Sequence, residues 1–562
     1  MKSGHSKLQA GCLSYVKVST LPPLARWVLA ADKLPPAVHR VKYRQFHSDR
    51  KTSWNEDRHW YEVQRQSNRL SKIPTELLSR KESGAYYTPQ PIAKALLAWV
   101  LRHESDRLLD PSCGDGQFIA CHKNSVGIEQ DAHAARTAME RAPWALIHEG
   151  DFFSWAASTV ERFDCAAGNP PFIRYQTFKG ETRERAIKLC AKVGANFNGL
   201  ASSWAPFLVA TSTLLKAGGR MAFVVPAEIG HAPYSAPLIE YLVANFAVVH
   251  ITAVRDKLFP DLSEDCWLLY VEGYGRSTEH IRFSAQDIFQ AHSEPPQQFL
   301  NVSIIEWRTS WGRRLRPFII SSGARNLYSE IRSHKETQRF GDIATVGIGY
   351  VTGANDFFHF RPSDAKRLKI PEHFLQPTVR NGRVLPTQRL TRTTVARWIE
   401  EDQQMLLLKM PKSGKVPASI ARYLDSEAGH IAREAYKCRS RDPWFSVPDV
   451  QIPKFFMSYM SGLEANLVRN DAGCACTNSV HSVRIKGDFG TQDLLERWQT
   501  SFVRLSCELE GHPLGGGMLK LEPREASNIL LPALKITQGL KKQEIEAALS
   551  TLREWRHYAV SK

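Results

Sequence analysis

Four consecutive residues, Asn169-Pro170-Pro171-Phe172, join an amide side chain, two locked backbone positions and an aromatic ring. Proline holds φ near about −65° and donates no N–H. The Asn169 side chain and the Pro170 carbonyl therefore project from a stiff ledge, with a ring beside them. Phe163-Asp164-Cys165-Ala166-Ala167-Gly168 precedes the ledge and reads as a short buried strand. The ledge thus stands at a strand's carboxyl end, where open α/β sheets bind their ligands. Two oxygen acceptors suit the two protons of an amino group on a flat ring, and Phe172 suits the ring face. The plainer alternative is a Pro-rich turn with a helix-starting Asn.

Upstream, Leu108-Leu109-Asp110-Pro111-Ser112-Cys113-Gly114-Asp115-Gly116-Gln117-Phe118 reads as a strand, a glycine turn and a helix start. Gly114 and Gly116 permit a tight turn and a close approach to a ligand. A lone G-x-G is weak, but this one heads a regular series. Val126-Gly127-Ile128-Glu129 is a second strand ending in a carboxylate, and Ala145 to Phe153 is a third, ending in Asp151 and two aromatics. Singly, Glu129 caps a helix and Asp151 closes a turn. Together, acids at strand ends repel pyrophosphate and fit a ligand with hydroxyls, an exocyclic amine and positive charge. S-adenosylmethionine carries all three.

Gly84-Ala85-Tyr86-Tyr87-Thr88-Pro89 lies about 20 residues before Asp110. With the glycine turn and the Asn-Pro-Pro-aromatic ledge in this order, the chain resembles the γ-class DNA adenine-N6 methyltransferases of type II restriction–modification systems, the TaqI-like enzymes. The resemblance spans roughly residues 80–300 and continues more weakly through the C-terminal half; the first 75 or so residues fall outside it. It implies that Tyr86, Thr88 and Pro89 hold the methionine end of the cofactor. Asp110, Cys113, Gly114 and Gly116 would form the loop around it, with Asp110 near the amino group. Glu129 would take the ribose hydroxyls, Asp151 the adenine amine, and Phe152 the adenine ring. Asn169 and Pro170 would bind the target amine, with Phe172 stacking on an everted base. Leu258-Phe259-Pro260 matches a further family motif, making Phe259 a second stacking ring.

Methyl transfer from a sulfonium to an aryl amine is an in-line displacement in which positioning carries much of the catalysis. The amine's lone pair is delocalised into the ring. Acceptors at Asn169 and Pro170 draw its hydrogens out of plane and stabilise the positive charge that develops on nitrogen. No general base with a tuned pKa is required. A base within a duplex cannot reach such a ledge, and extruding it costs a few kcal/mol, about the scale of ~1–3 kcal/mol returned per stacked base.

The 562 residues exceed one core. A basic N-terminal arm or helix, partly disordered, is expected over 1–80. The resemblance implies a Rossmann-like seven-stranded methyltransferase domain with a reversed final hairpin over 81–300, and a mixed α+β target-recognition domain over 301–562. The net charge of +17 divides as +9, −4 and +12 over these segments, so the flanks are the expected grips on double-stranded DNA. Trp204 to Lys216 reads as a helix stopped by Gly218-Gly219, and Val346 to Phe358 as a glycine-punctuated strand and turn. Arg439, Arg441 and Lys454 interleave with aromatics and are candidate DNA contacts, to guanine edges or to phosphates. Gly515-Gly516-Gly517 opens the closing segment of the same domain.

No run of about 18 apolar residues spans a membrane, and Met1–Ala10 has no apolar h-region. The ten cysteines include no CxxC pair, and Cys474-Ala475-Cys476 is too tight for a usual zinc pair. Reduced thiols in a cytoplasm, with no metal, are the simplest account, and the resemblance implies a bacterial cytoplasm or nucleoid. No paired-carboxylate-plus-lysine nuclease core is present, so cutting would fall to a separate cognate restriction enzyme. Two other functions remain open: a methyltransferase acting on RNA or a protein glutamine, and a non-catalytic DNA-binding relative.

Overall fold

Strands β1 (Leu108–Asp110), β2 (Ser125–Glu129), β3 (Leu146–Glu149), β4 (Phe163–Gly168) and β5 (Leu215–Pro226) run parallel, in the spatial order β3-β2-β1-β4-β5. β6 (Phe246–Val254) and β7 (Cys266–Tyr274) complete the seven-stranded pattern, with β7 inserted antiparallel between β5 and β6. β8 (His280–Gln286) and β9 (Leu300–Ser303) extend it to nine strands. The central strands are apolar on both faces, as parallel strands covered by crossover helices must be. The order reverses between β1 and β4, and the crevice at that reversal is the ligand-binding position of doubly wound sheets.

The computed structural model describes residues 87–197, 201–260, 262, 264–514, 516–538 and 542–558. The expected arm over 1–80, Tyr86 and Gly515 lie outside the described residues.

Helix α1 (Gln90–Val100) lies against β4 and β5, and α2 (Ala132–Arg141) follows β2. α3 (Phe152–Ser158) follows β3, and α4 (Gly180–Lys192) follows the Asn-Pro-Pro-Phe ledge. α5 (Trp204–Ser212) has every residue buried, the signature of a central helix. It ends four residues short of the expected Lys216. Lys216 to Gly219 instead forms a bulge in β5, where the pairing shifts between Phe163↔Leu215 and Cys165↔Arg220. Gly218 takes a left-handed φ of 76° there, and Lys216 turns back to pair with Asp164 at 2.8 Å. The glycines therefore bend a strand and do not cap the helix.

The boundary expected between 300 and 301 falls inside β9, so the sheet continues beyond it. Phe318, Tyr328, Phe502, Leu509, Ile545 and Leu552 share one buried cluster with Phe246, Trp267 and Phe283 of the sheet. The elements after 300 thus complete the core of the nine-stranded sheet before they form cores of their own. Arg316, Glu508 and Arg556, each under 4 % exposed, make a buried charge cluster. Glu508 pairs with Arg316 at 3.1 Å and Arg556 at 2.8 Å. Only such mutual pairing makes buried charges tolerable.

Farther along, Ala344–Ile348, Val480–Ile485, Phe455–Ser458, Leu467–Asn470 and Arg389–Leu390 form a five-stranded sheet beside a four-stranded one. Val346 begins within a strand as expected, but the segment closes as the helix Asn355–Phe358. Among the described residues no helix is long and apolar enough to cross a membrane.

Candidate active site

The crevice is floored by Asp110 at the end of β1, whose carboxyl is 1 % exposed. Its Oδ1 accepts from Ser112 N at 3.1 Å, while Oδ2 is buried without a hydrogen-bond partner. Burial above all, opposed by the Ser112 amide and aided by the charges of Glu129 and Asp115, pushes its pKa from 3.8 up to about 8. A cation beside Oδ2 would satisfy the orphaned oxygen and ionise it. The floor therefore fits an ammonium group. Gly168 makes room for this carboxyl, since a Cβ there would stand 2.6 Å from Oδ1.

The loop above it needs glycine. Gly114 and Gly116 adopt φ of 54° and 87°. Gly114 N donates to Glu129 Oε2 at 2.9 Å, and Asp131 N donates to Oε1 at 2.8 Å. Glu129 is thereby fixed by one main-chain donor on each oxygen, and each oxygen keeps a lone pair for a hydroxyl. Cys113 does not point at a ligand. Its thiol is buried against Gly127, where a Cβ would lie 2.7 Å from Sγ, and burial raises its pKa strongly. Its backbone N–H donates to Ile128 O at 2.9 Å, tying the loop to β2.

Tyr87, the neighbour of the undescribed Tyr86, stands at this loop, its ring 3.4 Å from where a Gly114 Cβ would sit. Thr88 is buried and Pro89 caps α1. Asp151 caps α3, Oδ1 accepting from Ser154 N at 2.8 Å and Ser154 Oγ at 2.6 Å, with Arg185 at 3.5 Å. All of these contacts fall on one oxygen. Phe152 is buried and stacked on Phe207 at 5.0 Å, so one of its faces is taken by protein.

The ledge is held at both ends. Ser112 Oγ donates to the Asn169 carbonyl at 3.2 Å, joining the glycine turn to the ledge. Ser203 Oγ accepts from Ile173 N at 3.0 Å and donates to the Pro171 carbonyl, while Ser203 N donates to Ile173 O at 3.0 Å. Pro170 is buried, and Phe172 is half-buried where the core clusters on the two sides of the sheet meet. Phe259 departs from the expectation of a stacking ring. It is 6 % exposed, within the cluster containing Trp99, Leu258 and Leu262, so protein covers it.

Ser112, Ser203 and Tyr87 were not singled out by sequence. Ser203 stands 30 residues beyond Ile173 with no motif to mark it, and Ser112 is hidden inside the glycine turn. Just past β5, Tyr234 donates to Glu228 and accepts from Trp204 Nε1 at 3.0 Å, a buried polar link equally invisible in the sequence.

The three basic candidates separate. Arg439 and Lys454 are exposed. Arg441 is half-buried, and its Nη2 donates to the carbonyls of Val351 and Thr352, both at 2.7 Å. It latches a turn and is not a free DNA contact.

Three family models match the chain. Residues 76–140 match N-6 DNA Methylase, 118–259 match Eco57I restriction-modification methylase, and 313–560 match the C-terminal domain of type II methyltransferase M.Eco57I. Type II methyltransferase M.AccI of Acinetobacter calcoaceticus is 21% identical, over 85% of this chain and 90% of that protein. M.XamI of Xanthomonas campestris pv. amaranthicola is 22% identical over 81% and 86%. Among solved structures, the type IIG restriction endonuclease BpuSI aligns with 84% of this chain at 15% identity and a TM-score of 0.41; this chain spans 61% of its length.

Proposed function

We propose that this chain, a DNA methyltransferase of the type II restriction–modification class, methylates the N6 amine of an adenine turned out of the duplex. The observation that carries the reading is the bond from Ser112 to the Asn169 carbonyl, which joins the glycine turn to the ledge. S-adenosylmethionine supplies an activated methyl group. In this reading Asp110 holds its ammonium group, Glu129 its ribose, and Asp151 its adenine amine.

The Asn169 side chain and the Pro170 carbonyl accept the two hydrogens of the target amine. That draws the nitrogen toward tetrahedral geometry and frees its lone pair. The same acceptors stabilise the positive charge that forms, as donors do for an oxyanion. Phe172, half-exposed beside them, stacks on the base. The proton leaves to water after transfer. Cleavage of unmodified DNA belongs to a separate endonuclease in this reading, and the enzyme works beside the chromosome in a bacterial cytoplasm.

The test is incubation with labelled S-adenosylmethionine and mixed-sequence duplex DNA, followed by nucleoside analysis. N6-methyladenine is expected. N4-methylcytosine in its place would correct the acceptor, and no labelled nucleoside despite bound cofactor would overturn the reading.

A further inference from the structure

Arg367, Arg380, Arg389, Arg469 and Arg497 each meet a carboxylate at 2.6–3.1 Å. The arginines around the short helix Tyr436–Arg439 do not, among the described residues. An open depression of ≈ 410 Å³ is lined there by Arg433, Glu434, Arg439, Asp442 and Trp444, with Arg441 and Pro443. Arg433, Glu434, Arg439 and Asp442 form no ion pair or side-chain hydrogen bond among the described residues. Two cations and two anions therefore face one space without satisfying each other.

Their mounting is rigid. Arg441 is bonded to Val351 and Thr352, and the Cys438 thiol donates to Thr352 O at 3.5 Å. Gly353 presses so closely on the helix that a Cβ would lie 2.7 Å from that of Lys437. Trp444 packs on Phe357 and Phe358, with ring centroids 5.8 and 6.3 Å away. The backbone that carries the four charged groups is thereby fixed, and their exposed side chains are open to a ligand.

The mixture of signs identifies that ligand. A phosphate offers acceptors alone and would be repelled by Glu434 and Asp442. A G·C pair viewed from the major groove offers both kinds of partner: guanine O6 and N7 accept, and the cytosine N4 amine donates. Arginine meets the first bidentately, and a carboxylate accepts from the second.

We infer that this depression reads a G·C base pair in the target sequence, with Arg439 on guanine and Asp442 on the cytosine amine. The inference rests on the DNA-methyltransferase reading above and deepens it by assigning part of the sequence recognition. Both side chains are exposed and make no ion pair or side-chain hydrogen bond among the described residues, so substituting them breaks none of the bonds that hold the frame.

The experiment measures kcat/KM on duplexes carrying every single base-pair change in the methylated site, for the wild type, Arg439→Ala and Asp442→Asn. Thermal unfolding checks each variant's fold. About 10–100-fold loss of discrimination, confined to one G·C position shared by both variants, is expected. An even loss across all duplexes with a shallower salt dependence would make these phosphate contacts and overturn the inference. An unchanged profile would overturn it as well. A wild type that methylates no duplex sinks the underlying reading and this inference with it, whereas a failure confined to the variants sinks the inference alone.

Discussion

Gly168 and Asp110 meet across neighbouring strands with no space between them: a Cβ on Gly168 would stand 2.6 Å from the Asp110 carboxyl oxygen and 3.3 Å from a ring carbon of Phe223. The glycine immediately before the ledge thus sets the position of the acid on the adjacent strand. Gly168→Ala is expected to cost about 1–3 kcal/mol of stability through overpacking. It should also weaken cofactor binding more than an alanine at Gly382, where a Cβ meets nothing within 4 Å, does. Chemical denaturation and calorimetric titration with S-adenosylmethionine check both.

Asp110 makes the apoprotein pH-sensitive. Its carboxyl is ordinarily half-ionised at 3.8 and is held protonated to about 8 in the fold. Between these values the unfolded chain binds fewer protons than the native one, so stability falls as pH rises through the window. The contribution is fully present below the lower value and lost as pH passes the upper one. Cofactor binding should move the opposite way. An ammonium group favours the ionised acid, so affinity rises up to about pH 8, and binding releases a proton. Calorimetry in buffers of different ionisation enthalpy measures the release, which Asp110→Asn should abolish.

Ser112→Ala removes the bond to the Asn169 carbonyl. A single hydrogen bond contributes about 0.5–1.5 kcal/mol, and a loss confined to the transition state lowers kcat by up to about tenfold. KM for cofactor should stay near the wild-type value. A change in KM with kcat unaltered would place Ser112 in binding rather than in positioning the ledge.

Asn169→Ala should leave cofactor affinity nearly intact and lower methyl transfer by about 10²–10³-fold, the scale seen when one charge-stabilising partner is deleted. Single-turnover methylation with labelled S-adenosylmethionine reads this directly.

Arg441→Met keeps most of the side-chain volume but deprives the Val351 and Thr352 carbonyls of their shared donor. Destabilisation of about 1–3 kcal/mol is expected from unsatisfied polar groups. If stability is unchanged while DNA binding weakens, the latch assignment fails.

The nucleotide-binding half was legible because its signals are local. A strand ending in an acid or a glycine turn declares itself within ten residues, and β1, β2, β3 and β4 stand where those patterns put them. Lys216–Gly219 misled because glycines that end a helix and glycines that bend a strand look alike until the partner strand is known. Arg441 is a harder case: an arginine among aromatics reads as a nucleic-acid contact, yet its partners are backbone carbonyls 89 and 90 residues away. The Ser203 clamp and the pairing of Arg556 with Glu508 likewise depend on contacts between distant parts of the chain. No periodicity or motif encodes such contacts.

The shared core has an engineering consequence. Helices Ser501–Glu510 and Lys542–Glu554 pack on one another, and Leu505, Leu509, Ile545 and Leu552 belong to the cluster that also supports the nine-stranded sheet. A chimera that exchanged everything after Ser303 for a relative's sequence would strip that cluster of these side chains. The strands Ala344–Ile348 and Val480–Ile485 pair antiparallel and bring the two ends of the intervening insert side by side. Met460–Ser461 within it, however, pairs with Met518–Lys520, and Glu464 meets Arg504 at 3.1 Å, so an exchange confined to the insert must also match the elements that follow it.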